Sequence, residues 1–345
     1  MSMHKYFLWG AGNVGRRAVG YLKPLGILDG IIDSDETKWG QCIDGLEIYS
    51  YEMVKPALVA QGAGVIIGYF GSGETERVLA GDGVVYYKLA DFIPQWFWKA
   101  RRQHAVGFLD FPITTRCTLN CKECMQYIPE REGRDVSLVD LKQSLDVLFH
   151  CVSFVGEMSI IGGEPFLHKD IAGLMAYIQE NYRGKIGSLV ITTNGMVLPD
   201  AEVLDVCREV GVYISISDYS ETLPHIGDSV VQLKKLTKNA GIQSEQKRWK
   251  WVSPGRFDAD GGFFECSQRH MQLLDKKLWC CSLMAAAAAA GICEAQAGDD
   301  YYDLSLKCNK SFAQFLLNED KMQRTSQCNY CLYPRAVAIP AAVQV

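Results

Sequence analysis

The chain has 345 residues, of which 48% are hydrophobic and 22% are charged, and these are the proportions of an ordinary globular protein. Its net charge of -5 provides no basic excess to neutralise phosphates, which argues against nucleic acid as a partner. No apolar run reaches the roughly 18–20 residues that span a bilayer, and the first residues do not read as a signal peptide. We therefore expect a cytoplasmic protein with no membrane partner, in which 13 cysteines indicate metal or redox chemistry rather than disulfides.

The first third of the chain alternates strands with helices and begins with a glycine motif. A short apolar strand is followed by Gly10, Gly12 and Gly15 in the pattern G-x-G-x-x-G. Such glycines let backbone N–H groups and a helix N-terminus approach a phosphate. Asp33, at the end of the second strand, or Asp35 can accept hydrogen bonds from ribose hydroxyls.

The alternation of strands and helices continues to about residue 93 and predicts a parallel sheet over residues 1–93. This is about half of a full dinucleotide fold, so we do not expect NAD as a redox cofactor. The order resembles the small Rossmann-like N-terminal domains of sugar acyltransferases and related polysaccharide enzymes, and the resemblance implies that the domain can bind the nucleotide of a nucleotide-sugar. The alternative is that the glycines form a tight turn and bind no ligand. We expect the aromatic, proline-containing residues 94–107 to be a linker.

A second series of strands and helices starts at Phe108, and its first strand leads into a cysteine motif. Cys117, Cys121 and Cys124 have the spacing C-x3-C-x2-C and supply three thiolates. Soft thiolates hold iron–sulfur clusters or zinc. A closed structural zinc site needs four ligands, and no fourth Cys or His follows closely. A [4Fe–4S] cluster held by three cysteines leaves one iron open to bind a substrate or cofactor.

Polar motifs follow at the ends of the next strands, where the loops of a β/α barrel converge. They are Gly162-Gly163-Glu164-Pro165, the turn that contains Asn194, and Ser215 with Ser217, whose side chains point to the same side of a strand. Taken singly, each motif is more typical of a turn or a solvated strand. Their order behind the cysteine triplet favours a shared site.

The cysteine triplet and these motifs resemble the radical S-adenosylmethionine (radical SAM) enzymes. The resemblance implies a partial (β/α)6 TIM-like barrel over residues 108–255, whose [4Fe–4S] cluster cleaves SAM to a 5′-deoxyadenosyl radical that abstracts hydrogen from a substrate. It implies an electron donor such as flavodoxin or ferredoxin. The position before the last cysteine is usually aromatic in this family and is Glu123 here. The residues that the resemblance places around SAM are Gly162, Gly163, Glu164, Asn194, Ser215 and Ser217.

A second set of cysteines follows the barrel and ends in the chelating pair Cys328 and Cys331. The arrangement resembles the twitch domain, a shortened SPASM module, and implies a domain over residues 256–345 with a second, auxiliary [4Fe–4S] cluster. Cys281 is preferred to Cys280 because the ligand in that family usually lies two residues after an aromatic, here Trp279. A structural zinc is the alternative for four cysteines. The implied ligands are Cys266, Cys281, Cys328 and Cys331.

These patterns predict an α/β radical SAM oxidoreductase for a small polar substrate, a sugar or a nucleotide-linked sugar, with dehydrogenation or epimerisation as the outcome. The auxiliary cluster would accept the second electron of a dehydrogenation. Cys293 and Cys308 are candidates to return a hydrogen atom in an epimerisation, although a buried spectator thiol is the simpler interpretation of each. The alternatives are a radical SAM peptide maturase, which commonly carries a winged-helix domain at its N-terminus instead of a glycine loop, and a non-enzymatic iron–sulfur or zinc protein.

Overall fold

A computed structural model of the chain describes residues 5–69, 73–248, 251–253, 270–306, 310–317, 328 and 338–345. The chain divides into two compact units, Met1–Gly107 and Phe108–Val345. Both contain helices and parallel strands, so the prediction of an α/β fold is confirmed. No helix in the described ranges is long and apolar enough to cross a membrane.

The first unit contains a six-stranded sheet in the order β3-β4-β2-β1-β5-β6. Its strands pair in parallel, except that β3 and β4 form an antiparallel hairpin. All four residues of β5 are buried, as expected for a parallel strand covered on both faces. The elements are β1 (Tyr6–Trp9), α1 (Asn13–Leu22), β2 (Leu28–Ile32), β3 (Cys42–Ile43), β4 (Leu46–Tyr49), α2 (Tyr51–Gln61), β5 (Gly64–Ile67), α3 (Gly73–Gly81), β6 (Tyr86–Lys88) and α4 (Leu89–Arg101).

Helix α4 occupies most of the segment that the sequence predicts as a linker. Its residues Phe92, Ile93 and Phe97 are buried, so the aromatic character of this segment reflects helix packing. Pro94 lacks the N–H that would bond to the carbonyl of Ala90. Gly107 lies against this Ala90 carbonyl, and a Cβ on Gly107 would be only 2.3 Å from the Ala90 oxygen. Proline therefore does not end this helix, and the predicted boundary at residues 93 and 94 falls inside it.

The second unit contains an eight-stranded sheet in the order β11-β10-β9-β8-β7-β13-β14-β15. The four strands from β8 to β11 are parallel to one another, β13 is parallel to β7, and β13, β14 and β15 are antiparallel. The predicted boundary between residues 255 and 256 lies outside the described residues. The elements are β7 (Ala105–Pro112), α5 (Leu138–Cys151), β8 (Phe154–Ile161), α6 (Ile171–Asn181), β9 (Ile186–Thr193), α7 (Ala201–Val210), β10 (Val212–Ser217), α8 (Gly227–Asn239), β11 (Ser244–Lys247), β12 (Trp251–Val252), β13 (Met271–Leu274), β14 (Lys277–Trp279), α9 (Ser282–Ala289), β15 (Tyr301–Asp303), α10 (Lys310–Leu317) and β16 (Ala338–Ile339).

A capping aspartate and a terminating glycine fix the two ends of α7, the helix that precedes β10 in this sheet. Asp200 caps α7 by accepting a hydrogen bond from the Val203 N–H at 2.9 Å. Gly211 ends α7 in the left-handed conformation, with φ of 71°, and β10 begins at the next residue. The alanine run is helical, because α9 spans Ser282–Ala289, and its central alanines are fully buried.

Candidate active site

The loop between β7 and α5 carries the cysteine triplet. The side chains of Cys117, Cys121 and Cys124 pack around one apolar cluster built on Leu119, Cys121 and Ala342. Burial raises the pKa of all three thiols, and that of Cys117 to about 12. A metal centre that binds these sulfurs must therefore displace their protons.

Several N–H groups in the described residues point at the cysteine sulfurs, including backbone groups at Cys124. The Leu119 backbone N–H lies 3.5 Å from Cys117 Sγ, and the Asn194 side-chain amide lies 3.7 Å from the same atom. The Gln344 side-chain amide lies 3.4 Å from Cys121 Sγ. Such N–H···S contacts stabilise the negative charge of thiolates that ligate a metal centre.

The donor set of this loop is therefore three soft sulfurs in an apolar, amide-lined environment. That chemistry suits an iron–sulfur cluster, whose irons take thiolate ligands. No group of three or more His, Cys, Asp or Glu side chains is arranged to hold a single metal ion within the described ranges.

Two glycines bring the end of β8 against the cysteine loop. A Cβ on Gly162 would lie 2.5 Å from the Thr114 carbonyl oxygen, and one on Gly163 would lie 2.3 Å from that of Arg116 and 2.8 Å from the Cys117 Cβ. The Gly163 N–H donates to the Thr114 oxygen at 2.9 Å, and the Glu164 N–H donates to the Arg116 oxygen at 2.8 Å. These glycines act here by allowing close approach of two backbones.

The Glu164 side chain follows directly and is fully buried. Its carboxylate accepts hydrogen bonds from Thr193 Oγ1 at 2.8 Å, from the Asn194 N–H at 2.8 Å and from the Phe166 N–H at 3.2 Å. All three donors are uncharged. Burial raises the pKa of Glu164 to about 7, against which these hydrogen bonds act. A cationic ligand group beside this carboxylate would favour its charged form.

Asn194 joins the end of β9 to the cysteine loop. Its side-chain amide donates to Thr118 Oγ1 at 3.0 Å, and its Oδ1 accepts from the Met196 N–H at 3.0 Å. Gly195, with φ of 77°, provides the left-handed turn that follows. The structure thus brings Glu164, Asn194 and Cys117 together.

Ser215 and Ser217 are both buried on β10. Ser215 donates to Glu245 Oε1 on β11 at 3.2 Å, and it pairs in register with Thr192 on β9. The two serines therefore share one face of the parallel strands, as their spacing predicts.

The three glycines of the motif in the first unit have different structural roles. Gly10 has φ of 120°, which favours glycine, and a Cβ on Gly15 would lie only 1.7 Å from the Gly10 carbonyl oxygen. Gly12 is the N-cap of α1, and a Cβ there would meet nothing within 4 Å. The turn, the open approach and the close packing are the uses that dinucleotide-binding loops make of such glycines.

The Asp33 carboxylate supports this loop from within the unit. Its Oδ2 accepts from the Ala11 N–H at 2.6 Å, and its Oδ1 accepts from the Asp35 N–H at 2.9 Å and from Lys38 Nζ at 3.1 Å. Asp35 accepts from the Thr37 N–H at 3.1 Å and from its hydroxyl at 2.6 Å. The sequence analysis assigned Asp33 to a ribose contact and did not predict that its carboxylate would hydrogen-bond to the backbone of the glycine loop.

Part of the second cysteine set can be described. Cys280 is buried and its thiol donates to the Asp299 carbonyl at 3.2 Å, whereas Cys281 is half-buried and caps α9. Cys293 Sγ lies 3.9 Å from Met284 Sδ, and burial raises the pKa of the Cys293 thiol to about 11. Cys328 is half-buried. Cys266, Cys308 and Cys331 lie outside the described residues, so the auxiliary cluster stays a prediction.

A buried polar cluster near the triplet was missed by sequence reasoning. Ser282 Oγ donates to Gln272 Oε1 at 2.6 Å, and Gln126 Nε2 lies 3.5 Å from the same oxygen. Gln126 Oε1 and Gln272 Nε2 are buried without a hydrogen-bond partner in the part of the chain that the structure describes. The three residues are separated in sequence by up to 156 positions, so no local pattern could have joined them.

Comparison with known proteins identifies the region that contains the triplet. Residues 111–244 match the model of the Radical SAM superfamily. A GTP 3′,8-cyclase of Peptoclostridium acidaminophilum is 30% identical over 97 residues, which are 28% of this chain and 29% of that protein. A GTP 3′,8-cyclase of Campylobacter fetus subsp. fetus is 25% identical over 147 residues, 40% of this chain and 44% of that protein.

The chain therefore spans less than half of the length of either curated relative. Among solved structures, Streptococcus suis SuiB bound to precursor peptide SuiA is 21% identical with a TM-score of 0.35, covering 44% of this chain and 35% of that one. The matched region runs from the end of β7 to the start of β11 and includes the cysteine loop and Glu164. Residues 111–244 therefore form a domain that matches the radical SAM superfamily.

Proposed function

We propose that this protein is a radical SAM enzyme that acts on a small polar substrate carrying a nucleotide. In this proposal Cys117, Cys121 and Cys124 ligate one [4Fe–4S] cluster, and Glu164 binds the ammonium group of SAM. The observation that carries the proposal is the link that Asn194 makes between the buried Glu164 carboxylate and the cysteine loop.

Each residue has a role that follows from its surroundings. When bound, the cluster supplies the electron that cleaves the sulfonium of SAM. Glu164 is buried, and its hydrogen-bond donors are uncharged. A bound ammonium group would therefore supply the positive charge that stabilises the ionised carboxylate. Asn194 holds the carboxylate and the cysteine loop at a fixed separation, which orients a ligand that contacts both.

Two observations support a nucleotide in the substrate. The open position at Gly12, at the N-terminus of α1, leaves room for a phosphate beside the backbone. The curated relatives of the radical SAM region are named for an activity on GTP, a nucleotide. Within this class we keep the nucleotide-linked sugar as the proposed substrate, with dehydrogenation or epimerisation as the outcome, and cyclisation as the alternative that those relatives bring in.

The buried polar cluster of Gln126, Gln272 and Ser282 also supports a polar substrate. It presents one unsatisfied acceptor, Gln126 Oε1, and one unsatisfied donor, Gln272 Nε2, among the described residues. A ligand with a neighbouring donor and acceptor, such as a nucleobase edge, satisfies both groups. Burying such groups without partners is costly, which gives a reason for a ligand there.

Anaerobic reconstitution with iron and sulfide, followed by reduction in the presence of SAM, tests the proposal. We expect 5′-deoxyadenosine from the wild-type protein and from Cys42→Ala, whose cysteine is exposed in the first unit, but none from Cys121→Ala. Nucleoside triphosphates, nucleotide-linked sugars and a precursor-type peptide are then compared for stimulation of 5′-deoxyadenosine formation. Zinc in place of iron, or product formation unaffected by Cys121→Ala, would overturn the proposal. Stimulation by the peptide alone would favour a peptide maturase.

A further inference from the structure

A segment far along the chain lies over the cysteine loop. Strand β16 pairs antiparallel with β12, matching Ile339 with Trp251, and the following residues reach the triplet. The Lys122 N–H donates to the Val343 carbonyl at 2.7 Å, and the Val345 N–H donates to the Asn120 carbonyl at 2.9 Å. We call residues 338–345 the cover segment.

The side chain of Gln344 is the centre of this contact. Its Oε1 accepts from the Asn120 N–H at 2.7 Å, while its Nε2 donates to the Ala342 carbonyl at 2.7 Å and to Cys121 Sγ at 3.4 Å. Gln344 and Cys121 also form an antiparallel β-bridge. One side chain thus fixes the loop backbone and places an N–H on a sulfur of the triplet.

Apolar contacts hold the cover segment in the same place. Ala342 is fully buried, with φ of 56°, and packs with Leu119 and Cys121. Trp251, which pairs with Ile339, meets Tyr219 edge-on with ring centroids 5.6 Å apart, and both aromatics pack against the same apolar cluster. The cover segment therefore removes one side of the cysteine loop from water.

We propose that Gln344 is a positioning residue for Cys121, and that the cover segment tunes and protects the metal centre of the triplet. This inference rests on the proposed function, because it requires an iron–sulfur cluster at Cys117, Cys121 and Cys124. Hydrogen bonds to ligating sulfurs and exclusion of solvent are two of the means by which a protein sets cluster potential. An N–H donor stabilises the more negative, reduced form, so the Gln344 amide raises the reduction potential.

Substitution at position 344 with a measured potential tests the inference. Gln344→Ala removes the donor, and Gln344→Glu keeps an acceptor for the Asn120 N–H while replacing the donor with a negative oxygen. Val343→Ala is the matched control, since the Val343 side chain is 37% exposed and the hydrogen bond of this residue to the loop uses its backbone carbonyl. We expect a more negative cluster potential in Gln344→Ala, a larger shift in Gln344→Glu, and none in Val343→Ala.

The cluster should also be lost several-fold faster to a chelator in both Gln344 variants, followed by its visible absorbance. Unchanged potential and unchanged loss in clusters that assemble normally would overturn the inference while leaving the proposed function intact. Failure of the wild-type protein to assemble a cluster at the triplet would instead overturn the proposed function, and this inference with it.

Hydrogen exchange of the cluster-free protein gives a readout that needs no metal. In Gln344→Ala the Asn120 amide loses its acceptor and should exchange about fivefold faster, the effect of one net hydrogen bond. The Lys122 amide, bonded to the Val343 backbone, should change less. Equal exchange of the Asn120 amide in the wild-type protein and the variant would show that Gln344 does not hold the loop.

Discussion

The backbone N–H of Asn194 donates to Glu164 Oε2 at 2.8 Å, although 30 residues separate the two in the chain. The bond connects the residue after β9 to the residue after Gly163, at neighbouring strands of the parallel sheet. Because the carboxyl ends of parallel strands meet at one edge, a carboxylate from one strand and an amide from the next can share a ligand.

Glu164→Gln should weaken SAM binding. In the proposed role, the substitution removes the charge that pairs with the ammonium group of SAM. A charged hydrogen bond contributes roughly 1.5–3 kcal/mol, so we expect an affinity about 10–100-fold lower. Isothermal titration of the reconstituted protein with SAM measures this. Glu202→Gln, on the exposed face of α7, is the control. Equal affinity in Glu164→Gln and the control would contradict the assigned role.

The stability of the ligand-free protein should depend on pH through Glu164. Burial raises the pKa of this carboxyl from 4.5 to about 7, so between these values the folded state binds a proton that the unfolded chain does not. Stability therefore falls as the pH rises through this window, by up to about 3 kcal/mol, and this contribution is constant above it.

Urea unfolding of the wild-type protein and Glu164→Gln between pH 4.5 and 8 measures this contribution. We expect the pH-dependent difference between the two proteins to level off above the folded-state pKa. A difference that does not change with pH would show that the Glu164 carboxyl titrates normally in the folded protein.

Alanine substitutions at Gly12 and Gly15 should lower the stability of the first unit by different amounts. Gly15→Ala places a Cβ 1.7 Å from the Gly10 oxygen, so the backbone must move, and we expect a loss of at least about 1–3 kcal/mol in stability. Gly12→Ala meets no atom within 4 Å, so it should lower the melting temperature less than Gly15→Ala, by no more than the preference for glycine over alanine at an N-cap.

If a phosphate lies beside Gly12, the same Gly12→Ala variant should bind nucleotides more weakly, as measured by titration calorimetry. Normal binding in a stable Gly12→Ala protein would favour the alternative, in which the motif is a turn without a ligand. A Gly12→Ala protein as unstable as Gly15→Ala would contradict the open space at this position.

Alanine substitutions at the adjacent residues Cys280 and Cys281 test the predicted auxiliary cluster, each serving as the control for the other. If Cys281 is a ligand of the predicted auxiliary cluster, Cys281→Ala should lower the iron content by about half, because it would remove a ligand of one of two [4Fe–4S] clusters. Cys280→Ala should keep its iron, since the Cys280 thiol already donates to the Asp299 carbonyl. Iron and sulfide analysis of both variants distinguishes the outcomes. Loss of iron only in Cys280→Ala would exchange the two assignments, and full iron in both would remove the predicted cluster from this position.

Elements with a strong local signal were predicted well from the sequence. Strand β1 directly precedes Gly10, β2 ends directly before Asp33, and β10 carries both serines, as the sequence predicts, because these apolar runs are bounded by glycine or acidic residues. The hairpin of β3 and β4 was missed, although the dipeptide Asp44-Gly45 in its turn is a known sequence signal of a tight hairpin. Both residues have the positive φ that such a turn requires. Helix α4 was missed because its aromatic, proline-containing residues were interpreted as a linker.

The residues around the site also divide into those that a sequence motif predicts and those that only the structure reveals. Cys117, Glu164 and Asn194 lie in motifs that the sequence displays, and the structure brings these three together. Gln344 lies in no motif, and only the folded chain shows that it contacts Cys121. Contacts of this range depend on the packing of the whole unit, which a local pattern does not encode.

The bridge between Cys121 and Gln344 also bears on when a metal centre can enter. It joins positions 223 residues apart, and because contacts of such long range are paid for in chain entropy, we expect the bridge to form late during folding. Until then the sulfurs stay reachable from outside. We therefore expect a maturation interval in which an iron donor has access to the sulfurs, and the docking of β16 ends this interval.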